Sequence, residues 1–579
     1  MTTYYISTAG GAANGLTTST PWDYPTFASH NILPGDVFKF KRGESAHVFT
    51  AKRDIDDSCT LTTYYNADGT DDETQTRPKL EGNVTGGLPI FLLNVGTITL
   101  ENLEIYSTLT LNGTTDTAAG VYFSQQPIGG TVENCKIHGC RVLVRGQGFS
   151  ANYGEDVLIK DCELYDCWTD AVWASRAVNW EFNNCTIYDV NQDATGGDCL
   201  QFVDEDDIAS YVHIHDCTLT HQNDIKQVII INNYGLTAGG TVGGTSIIED
   251  NIIYAASASY ALYTDSDSII RRNIIYDSGT CINLESDATG PATHEVYSNI
   301  CLSKAGETAT YGVRVLDGAI ATIYNNYFLG FPFGVENFGA GLVTIKNNII
   351  ELNSAGQVAI HVRSSGATPS IDYNCYYPAQ AGMFELEGVA YDNLSSWQTA
   401  ISDDANSLTS DPLLNSDYEI GWTSPCLYAG VVVDLASTDF DGYLFGAPPN
   451  IGAHSLYDSS AFWPSSLPQY LRLQGYAQAR VNDTIRSTMG YGPDKVRRRT
   501  TGTIENIQGT LVLTNAQLST LSNFYNATLT GGAERFNWVD FLTVNESSPT
   551  IVKYRFLTPP TYSNIGKFWT VVLSLELLP

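Results

Sequence analysis

The sequence predicts an all-β protein: a long solenoid followed by a small, mostly β domain with one helix. Between about Cys135 and Asn374 one pattern recurs, in which a small polar residue precedes Cys or Asn and a short apolar strand follows. A period of roughly 20 to 30 residues built from short strands and turns is typical of a solenoid, whose rungs stack about 4.8 Å apart. We call the recurring Cys and Asn the marker residues; they are Cys135, Cys162, Cys185, Cys217, Asn251, Asn273, Asn299, Asn326, Asn348 and Asn374.

The composition fits a turn-rich β protein. The chain has 579 residues, with 51 Gly and 34 Tyr but only 16% charged residues, so its outer face is expected to be polar but largely uncharged. Four of the twelve cysteines are marker residues, and Cys140 and Cys167 follow at turn positions. We therefore expect reduced thiols inside the coil, not disulfides. We expect the marker Asn residues at turns, with a left-handed backbone and amide hydrogen bonds to the next rung.

The rungs resemble those of the right-handed parallel β-helix, a fold of polysaccharide lyases, glycoside hydrolases and phage tailspikes. Residues 1–48 resemble its amino-terminal cap: a strand, a Gly-rich turn, a short helix and a PGD segment that opens a second strand. The β-helix would occupy residues 49–458. Its last part, 410–458, resembles the carboxy-terminal cap of polysaccharide-processing β-helices, although Asn450 replaces the usual Asp and Leu444 and Phe445 replace a basic residue. Such caps cover apolar interior and unpaired backbone at the coil ends.

Charge and hydropathy exclude several classes of protein. A formal charge of −33 argues against nucleic-acid binding, which needs Lys and Arg to neutralise phosphates. The amino terminus lacks the basic and apolar regions of a signal peptide, and no run of 18 apolar residues predicts a membrane span. We expect synthesis in a cytoplasm and release by lysis, as for a phage particle. No metal or other cofactor is expected: CxxC pairs and Cys/His spacings are absent, and the acidic turn 68–75, for which calcium is the alternative, lacks EF-hand spacing.

A second strand in each coil predicts one outward row of side chains. If the apolar residue of each such strand points inward, the residue after it points outward. This row mixes aromatic rings with amide, carboxylate and guanidinium groups, and a long polysaccharide could lie along it. The row contains Tyr122, Trp173, Gln201, Tyr263, Asn283, Arg314, Glu336 and His361. Glu285 widens this row. Arg176 lies near two acidic loops, residues 189–198 and 203–210, which flank Cys199. The predicted polysaccharide-binding residues are Tyr122, Trp173, Arg176, Gln201, Tyr263, Glu285 and Arg314.

Two carboxylates are the candidate catalytic pair. Asp170 and Asp198 occupy the same position in consecutive coils, where we expect them to point outward about 5 Å apart. At that distance both cannot easily ionise, so one pKa rises, as in the acid and nucleophile pair of a retaining glycosidase. Asp204 and Glu205 on the adjoining turn complete the predicted catalytic set. The alternative interpretation is that Asp170 and Asp198 cap the turns that enter their strands.

A separate domain is predicted for residues 459–579. From Phe462 onward the chain has 11 Lys and Arg against 7 Asp and Glu, a formal charge of +4, whereas the preceding residues carry −37. In local terms, Thr514 is expected to cap a helix from Asn515 to Leu529, ended by Gly531 and Gly532. The motifs FWP, GPDKVRRR, GGAERFNW and the final LELLP, in this order, resemble small tail-associated proteins of tailed phages. The resemblance implies docking to other tail proteins, for which Arg497, Arg498 and Arg499 are the candidate contacts.

Three functions remain open from the sequence. The first is a phage tail fibre or tailspike at the tail tip, which binds host surface polysaccharide, with or without cutting it, and forms a homo-oligomer, with a trimer implied by the resemblance. The second is a binding-only or structural tail protein, and the third a cellular polysaccharide lyase. A lyase of this fold commonly uses Lys or Arg, and only Lys226 and Arg176 lie near the acidic loops. The phage-like domain and the absent signal peptide favour the first two.

Overall fold

The computed structural model describes most of the chain, and every structural statement below refers to the described residues. These are 2–66, 68–71, 74–85, 88–111, 117–126, 128–147, 155–190, 196–204, 209–221, 226–233, 244–255, 260–286, 290–303, 310–316, 318–339, 341–363, 369–421, 423–434, 437–445, 448–454, 461–464, 466–480, 484–487, 495–498, 505–541, 551–564 and 566–578.

The chain divides into two compact units, residues 1–455 and 456–579. The first unit is a parallel β-helix whose coils pass in turn through three long sheets of 14, 13 and 14 strands. We call these sheets 1, 2 and 3, in the order in which each coil visits them. The second unit is a small antiparallel domain with one helix. The predicted all-β class, a parallel solenoid followed by a mostly β domain, is therefore confirmed.

The strands are short, and successive ones in a sheet belong to successive coils. Sheet 1 contains Thr3–Gly11, Asp36–Lys41, Cys59–Tyr64, Ile98–Glu101, Ile128–Glu133, Glu155–Lys160, Val178–Asn183, Tyr211–His215, Ser246–Glu249, Ser268–Arg271, Thr293–Tyr297, Ile320–Tyr324, Val343–Lys346 and Ser370–Asp372. Sheet 2 contains His47–Phe49, Lys79–Gly82, Glu104–Tyr106, Lys136–Cys140, Glu163–Cys167, Thr186–Tyr188, Thr218–Thr220, Ile252–Tyr254, Ile274–Ser278, Ile300–Ser303, Tyr327–Leu329, Ile349–Glu351 and Cys375–Tyr377. Sheet 3 contains Arg53–Ile55, Pro89–Val95, Ala119–Gln126, Val142–Gln147, Val172–Ser175, Leu200–Val203, Gln227–Asn232, Tyr260–Thr264, Thr280–Leu284, Tyr311–Val315, Phe333–Asn337, Val358–Val362, Phe384–Leu386 and Val389–Tyr391.

The marker residues stack in one buried column between sheets 1 and 2. The residue after each marker pairs with its equivalent in the next coil, as Lys136 does with Glu163 and Ile274 with Ile300, which confirms the predicted superposition. The left-handed backbone lies one residue earlier than expected. It belongs to the polar residue before each marker, including Asn134, Asp161 and Asn325, because the chain turns there and only then directs the marker side chain inward.

Hydrogen bonds run through this column from coil to coil. The amide oxygen of Asn299 accepts the backbone N–H of Asn273 at 3.0 Å, and its amide nitrogen donates to the carbonyl of Ile270 at 2.8 Å. The same arrangement repeats at the neighbouring Asn markers, as expected. Where the marker is Cys, sulfur takes the acceptor role, since Cys217 Sγ accepts the N–H of Cys185. All twelve cysteines are buried free thiols. This confirms the prediction of reduced thiols inside the coil.

The two ends of the β-helix are closed by short helices. Helix α1, Tyr24–Ser29, is capped by Asp23 and buries Phe27 against Phe38 and Phe40. The resemblance of residues 1–48 to an amino-terminal cap predicted this short helix. At the other end, helix α2, Leu394–Ile401, stacks the buried Trp397 on Phe384 at 5.0 Å. This helix was not predicted. It follows the antiparallel hairpin of the last two sheet 3 strands.

Residues 410–454 do not close the end, as the cap resemblance implied, but run back along the side of the β-helix. We call them the strap. They bind the left-handed turn residues: Arg272 donates to Thr438, and Asn325 donates to the carbonyls of Asn450 and Gly452 at 2.8 and 3.1 Å. These turn residues expose side-chain donors in a regular row, which gives an irregular chain the hydrogen-bond partners it needs.

The second unit is built around one antiparallel sheet. In spatial order its strands are Ala461–Phe462, Phe536–Val539, Ile551–Asn564, Trp569–Leu578, Glu505–Leu513 and Arg472–Arg480, while Thr484–Ser487 and Lys495–Arg498 form a separate two-stranded ribbon. Helix α3, Asn515–Asn523, begins at Thr514 in a capping box with Gln517 and continues as a π-helix over Phe524–Thr528. The predicted helix is thus confirmed in position, with a wider last turn. None of the helices in the described residues is long and apolar enough to cross a membrane.

Candidate glycan-binding face

The outer side of sheet 3 carries an in-register row of side chains along the β-helix. From strand to strand Tyr122 pairs with Arg145, Arg145 with Trp173, and Trp173 with Gln201. The row continues in the same register through Ile230, Tyr263, Asn283, Arg314, Glu336, His361 and Glu385. The alignment made from the sequence therefore placed these residues in correct register. It omitted Arg145, Ile230 and Glu385, although the alternation of VLVRGQ already placed Arg145 after an inward Val.

At one end of this row, two aromatic rings flank a guanidinium group. Arg145 lies over the rings of Tyr122 and Trp173, at 5.0 and 5.2 Å from the two centroids. Gln147 Oε1 accepts hydrogen bonds from both Arg145 Nη2 and the Tyr122 hydroxyl, at 3.0 and 3.1 Å. Tyr122 and Trp173 are half-buried, so each presents part of its ring to solvent. Contacts from both sides hold this cluster, which we call the Trp173 platform.

The middle of the row is polar and internally hydrogen-bonded. Glu285 accepts the Tyr263 hydroxyl at 2.9 Å and the Asn283 amide at 3.1 Å. Burial, followed by the charge of Glu285, raises the pKa of Tyr263 well above its ordinary value, so this phenol remains a donor at every physiological pH. Tyr263 and Glu285 are half-buried, whereas Asn283 is fully buried, so its amide holds Glu285 in place and does not face solvent.

Near the other end, a buried carboxylate gathers cationic and aromatic groups. Glu336 is fully buried, with Arg314 Nε at 2.6 Å from Oε2 and His361 Nδ1 at 3.1 Å from Oε1. Burial acts to raise its pKa, but His361 and Arg314 together hold the pKa below the ordinary value. Phe338 is exposed and has Arg314 and Arg363 each 5.5 Å from its ring. The sequence alignment placed Glu336 and His361 in the outward row. No sequence pattern indicated that these two residues form a cluster with Arg314.

The carboxylates of Asp170 and Asp198 do not face solvent, contrary to the prediction. Their side chains are 8% and 0% exposed. Asp170 Oδ1 accepts the N–H of Asp198, and Asp198 Oδ1 accepts the N–H of Gln227, both at 2.8 Å. Each therefore caps the start of the strand one coil further on, which is the alternative interpretation from the sequence. Both aspartates lie two residues before an inward residue, Val172 or Leu200, so the two-residue alternation points them inward, not outward as predicted.

The predicted rise of one pKa in this pair does occur. Burial, with the charge of Asp170 as the second cause, raises the pKa of Asp198 to about 8. Its other oxygen, Oδ2, has no hydrogen-bond partner among the described residues. Asp198 is therefore a neutral acid at pH 7 beside a second carboxyl group.

The remaining predicted site residues differ in burial and in location. Arg176 is fully buried, with a left-handed backbone at the turn after Val172–Ser175, so it does not contact a polysaccharide; the sequence gave its proximity to acidic loops but not its inward direction. Gln201 and Asp204 are half-buried. Glu205 and Arg499 lie outside the described residues. Arg497 and Arg498 lie in the two-stranded ribbon of the second unit.

Comparison with known proteins supports the fold. The family model described as a right-handed beta helix region matches residues 76–241, and the first unit is a right-handed parallel β-helix. A structure of XylC in complex with xylose is similar at 12% identity, over 79% of this chain and 98% of that one, with a TM-score of 0.43. The Dettilon tailspike protein gp208 is similar at 11% identity, over 94% of this chain and 88% of that one, with a TM-score of 0.32.

A further tailspike is among the similar structures. It is gp49 of the Acinetobacter baumannii bacteriophage Fri1, a capsular polysaccharide depolymerase, at 11% identity over 94% of this chain and 79% of that one, with a TM-score of 0.28. Among curated protein sequences no match to the chain is found.

Proposed function

We propose that this chain is a phage tail fibre or tailspike protein that binds a linear host surface polysaccharide along the outer side of sheet 3. The observation that carries the proposal is the in-register row from Tyr122 to Glu385, which repeats once per coil. The coils repeat about every 4.8 Å along the helix axis, and the row side chains that a polymer laid along this axis can reach are the half-buried ones, Tyr122, Arg145, Trp173, Gln201, Tyr263, Arg314 and Glu385. The other four, Ile230, Asn283, Glu336 and His361, are buried. Sugars have apolar faces and hydroxyl rims, which suit aromatic rings flanked by amide, carboxylate and guanidinium groups.

The Trp173 platform is the strongest contact on this face. Trp173 is half-buried and presents part of its ring to solvent, and an aromatic ring of this kind suits the apolar face of a sugar. Arg145, which Tyr122 and Gln147 hold, lies over the indole, so little side-chain entropy is lost when a sugar stacks on it.

The phage assignment rests on the second unit and on charge. Its ordered motifs resemble small tail-associated proteins, and the formal charge of +4 from Phe462 onward contrasts with −37 in the preceding residues. We propose that residues 459–579 dock to another tail protein at the tail tip, with Arg497, Arg498 and Arg499 among the contacts, and that the protein acts as a homo-oligomer, a trimer by resemblance. Nucleic-acid binding and membrane insertion have no part in this proposal.

Cleavage of the bound glycan is a second candidate function, supported by one observation. A neutral Asp198 beside Asp170 has the protonation states that a general acid and its partner need. Against it stand the burial of both side chains and their use as strand caps. Binding without cleavage is therefore the function that the geometry supports best. With Arg176 buried, the cellular lyase alternative loses one of its two candidate cationic side chains; the other, Lys226, acts electrostatically on Asp198.

The test is binding to a panel of immobilised bacterial capsules and lipopolysaccharides by wild type and two aromatic variants. Trp173→Ala should weaken binding to the recognised glycan by about 1–3 kcal/mol, the range known for stacking on aromatic side chains. Tyr165→Ala is the matched control, because Tyr165 is a half-buried aromatic of sheet 2, stacked between His138 and Tyr188 at 4.5 and 5.1 Å. Equal losses in both variants, or none in Trp173→Ala, would refute the assignment of this face.

The same incubations distinguish binding from cleavage. Chromatography of the released glycan should show no shortening if the protein only binds. Shortened products with wild type that disappear in Asp198→Asn, while binding persists, would establish the second candidate instead.

A further inference from the structure

We propose that the strap carries a binding site for a divalent transition-metal ion of the zinc class, formed by Glu419, Asp441 and His454. Ligand atoms from these three side chains lie within 4.8 Å of one another. They come from three separate parts of the strap, so an ion bound there would cross-link it. This site is distinct from the proposed glycan-binding face and does not depend on that function.

The geometry of the histidine and aspartate fits such an ion. His454 Nδ1 and Asp441 Oδ2 are 3.2 Å apart. With bonds of about 2.0–2.2 Å, two ligands of a tetrahedral zinc lie about 3.3–3.6 Å from each other, so a small outward movement of Asp441 completes the pair. The separation of His454 Nδ1 and Asp441 Oδ2 therefore fits a hydrogen bond in the ion-free protein. It is also close to the separation of two ligands in the ion-bound protein. The imidazole changes from a proton donor to a metal ligand at Nδ1, and the proton of the neutral ring moves to Nε2, so the ring stays neutral.

The three ligands are held in place by contacts that leave their ligand atoms available. Asp439 Oδ1 accepts the N–H groups of Asp441 and Tyr443 at 3.1 and 2.8 Å, which fixes the turn that carries Asp441. Asn415 donates to Glu419 Oε2 at 2.8 Å and leaves the other carboxylate oxygen for an ion.

His454 is the buried ligand of the site. Its side chain is 5% exposed and packs on Phe440 at 5.0 Å. Its second nitrogen, Nε2, is buried and has no hydrogen-bond partner among the described residues, so no contact there fixes the imidazole tautomer. By contrast, Glu419 and Asp441 are exposed, which leaves a path for the ion and an open position for water.

The donor set indicates which ion is preferred. One imidazole and two carboxylates suit Zn²⁺ and its transition-metal neighbours, whereas Ca²⁺ and Mg²⁺ prefer six or more oxygen ligands. Two carboxylates this close also repel each other in a chain of charge −33, and a divalent cation removes that repulsion. The consequence is a strap that docks more stably on the β-helix when the ion is bound.

The experiment uses the full chain, stripped with EDTA and dialysed, with ZnCl₂ or CaCl₂ as the probe. Isothermal titration should give one tight Zn²⁺ site per chain, and saturating Zn²⁺ should raise Tm. Asp441→Asn and Glu419→Gln, both exposed positions where the fold is retained, should each lose the site and the rise in Tm. Asp417→Asn, an exposed acid of the same segment, is the matched control and should keep both.

A second readout checks the ligand geometry. Co²⁺ in place of Zn²⁺ should give the visible absorption of a four-coordinate site in wild type and in Asp417→Asn but not in Asp441→Asn. The proposal is overturned if Zn²⁺ gives no stoichiometric binding, if Asp441→Asn and Glu419→Gln bind it as tightly as wild type, or if Ca²⁺ produces the same rise in Tm as Zn²⁺.

Discussion

Asp198→Asn should make the protein more stable at pH 8 and have little effect near pH 4. In the folded protein burial raises the pKa of Asp198 from 3.8 to about 8, whereas in the unfolded chain the group titrates near its ordinary value. Between these two pH values the folded chain keeps the proton and the unfolded chain has lost it. Unfolding then releases a proton, so the stability contributed by this group is full below about pH 4 and declines as pH rises toward 8.

The size of this decline follows from the shift in pKa. Each pKa unit corresponds to 1.36 kcal/mol, so a shift of roughly four units amounts to at most about 5 kcal/mol between pH 4 and pH 8. The asparagine amide resembles the neutral acid in shape and can still accept the Gln227 N–H that Asp198 Oδ1 accepts at 2.8 Å. The variant therefore lacks the decline. At pH 4 the wild-type acid is neutral in the folded protein and about half ionised in the unfolded chain, so the two proteins should differ by less than about 1 kcal/mol.

The assay is urea denaturation of both proteins from pH 4 to pH 8, reported as the difference in free energy of unfolding. Asp156→Asn is the matched control, because Asp156 is an exposed acid of the same β-helix, and its difference from wild type should stay flat over this range. A flat difference for Asp198→Asn as well would show that Asp198 titrates normally, and the buried capping arrangement would then be wrong.

Three further predictions concern the fold. Asn299→Ala should lower the free energy of unfolding of the first unit by about 2–5 kcal/mol in urea denaturation. The substitution leaves the buried N–H of Asn273 and the carbonyl of Ile270 without their amide partner. Asn406→Ala, at an exposed position, is the control and should lower the free energy of unfolding far less. Trp397→Ala should cost about 3–5 kcal/mol through the cavity it leaves beside Phe384, and an unchanged Tm would show that α2 does not close the β-helix. Thr514→Ala should lower the stability of the second unit by about 1 kcal/mol by removing the capping box with Gln517, and an effect confined to the first unit would contradict the helix start.

The sequence predicted the coil period, the marker column and the register of sheet 3 because each depends on side chains that alternate between inside and outside. Val172 is inward and Trp173 outward wherever the strand lies, so two-residue periodicity alone aligns them. The same reasoning would have placed Arg145 in the row. It was omitted because its strand was not included in the alignment, not because its pattern is weak.

Other features depend on contacts between distant segments, which no local pattern encodes. Asp170 and Asp198 lie two residues before the inward Val172 and Leu200, so strict alternation already gives them the inward direction in which the structure buries them; what no local pattern gives is that each accepts a backbone N–H from the next coil. The strap has the motifs of an end cap yet binds turn residues such as Arg272 and Asn325, more than a hundred positions earlier. The ligands Glu419, Asp441 and His454 likewise meet only because the strap folds on itself. Their spacing in sequence matches no metal-binding motif.

The most direct test of the central claim is a structure of the protein bound to oligosaccharides prepared from the glycan that it recognises in the binding panel. The proposed function predicts a saccharide chain parallel to the β-helix axis on the outer side of sheet 3, with one sugar ring stacked on Trp173 and polar contacts to Gln201, Tyr263 or Glu285. A saccharide bound to sheet 1, to sheet 2 or to residues 456–579, with the outer side of sheet 3 empty, would contradict it.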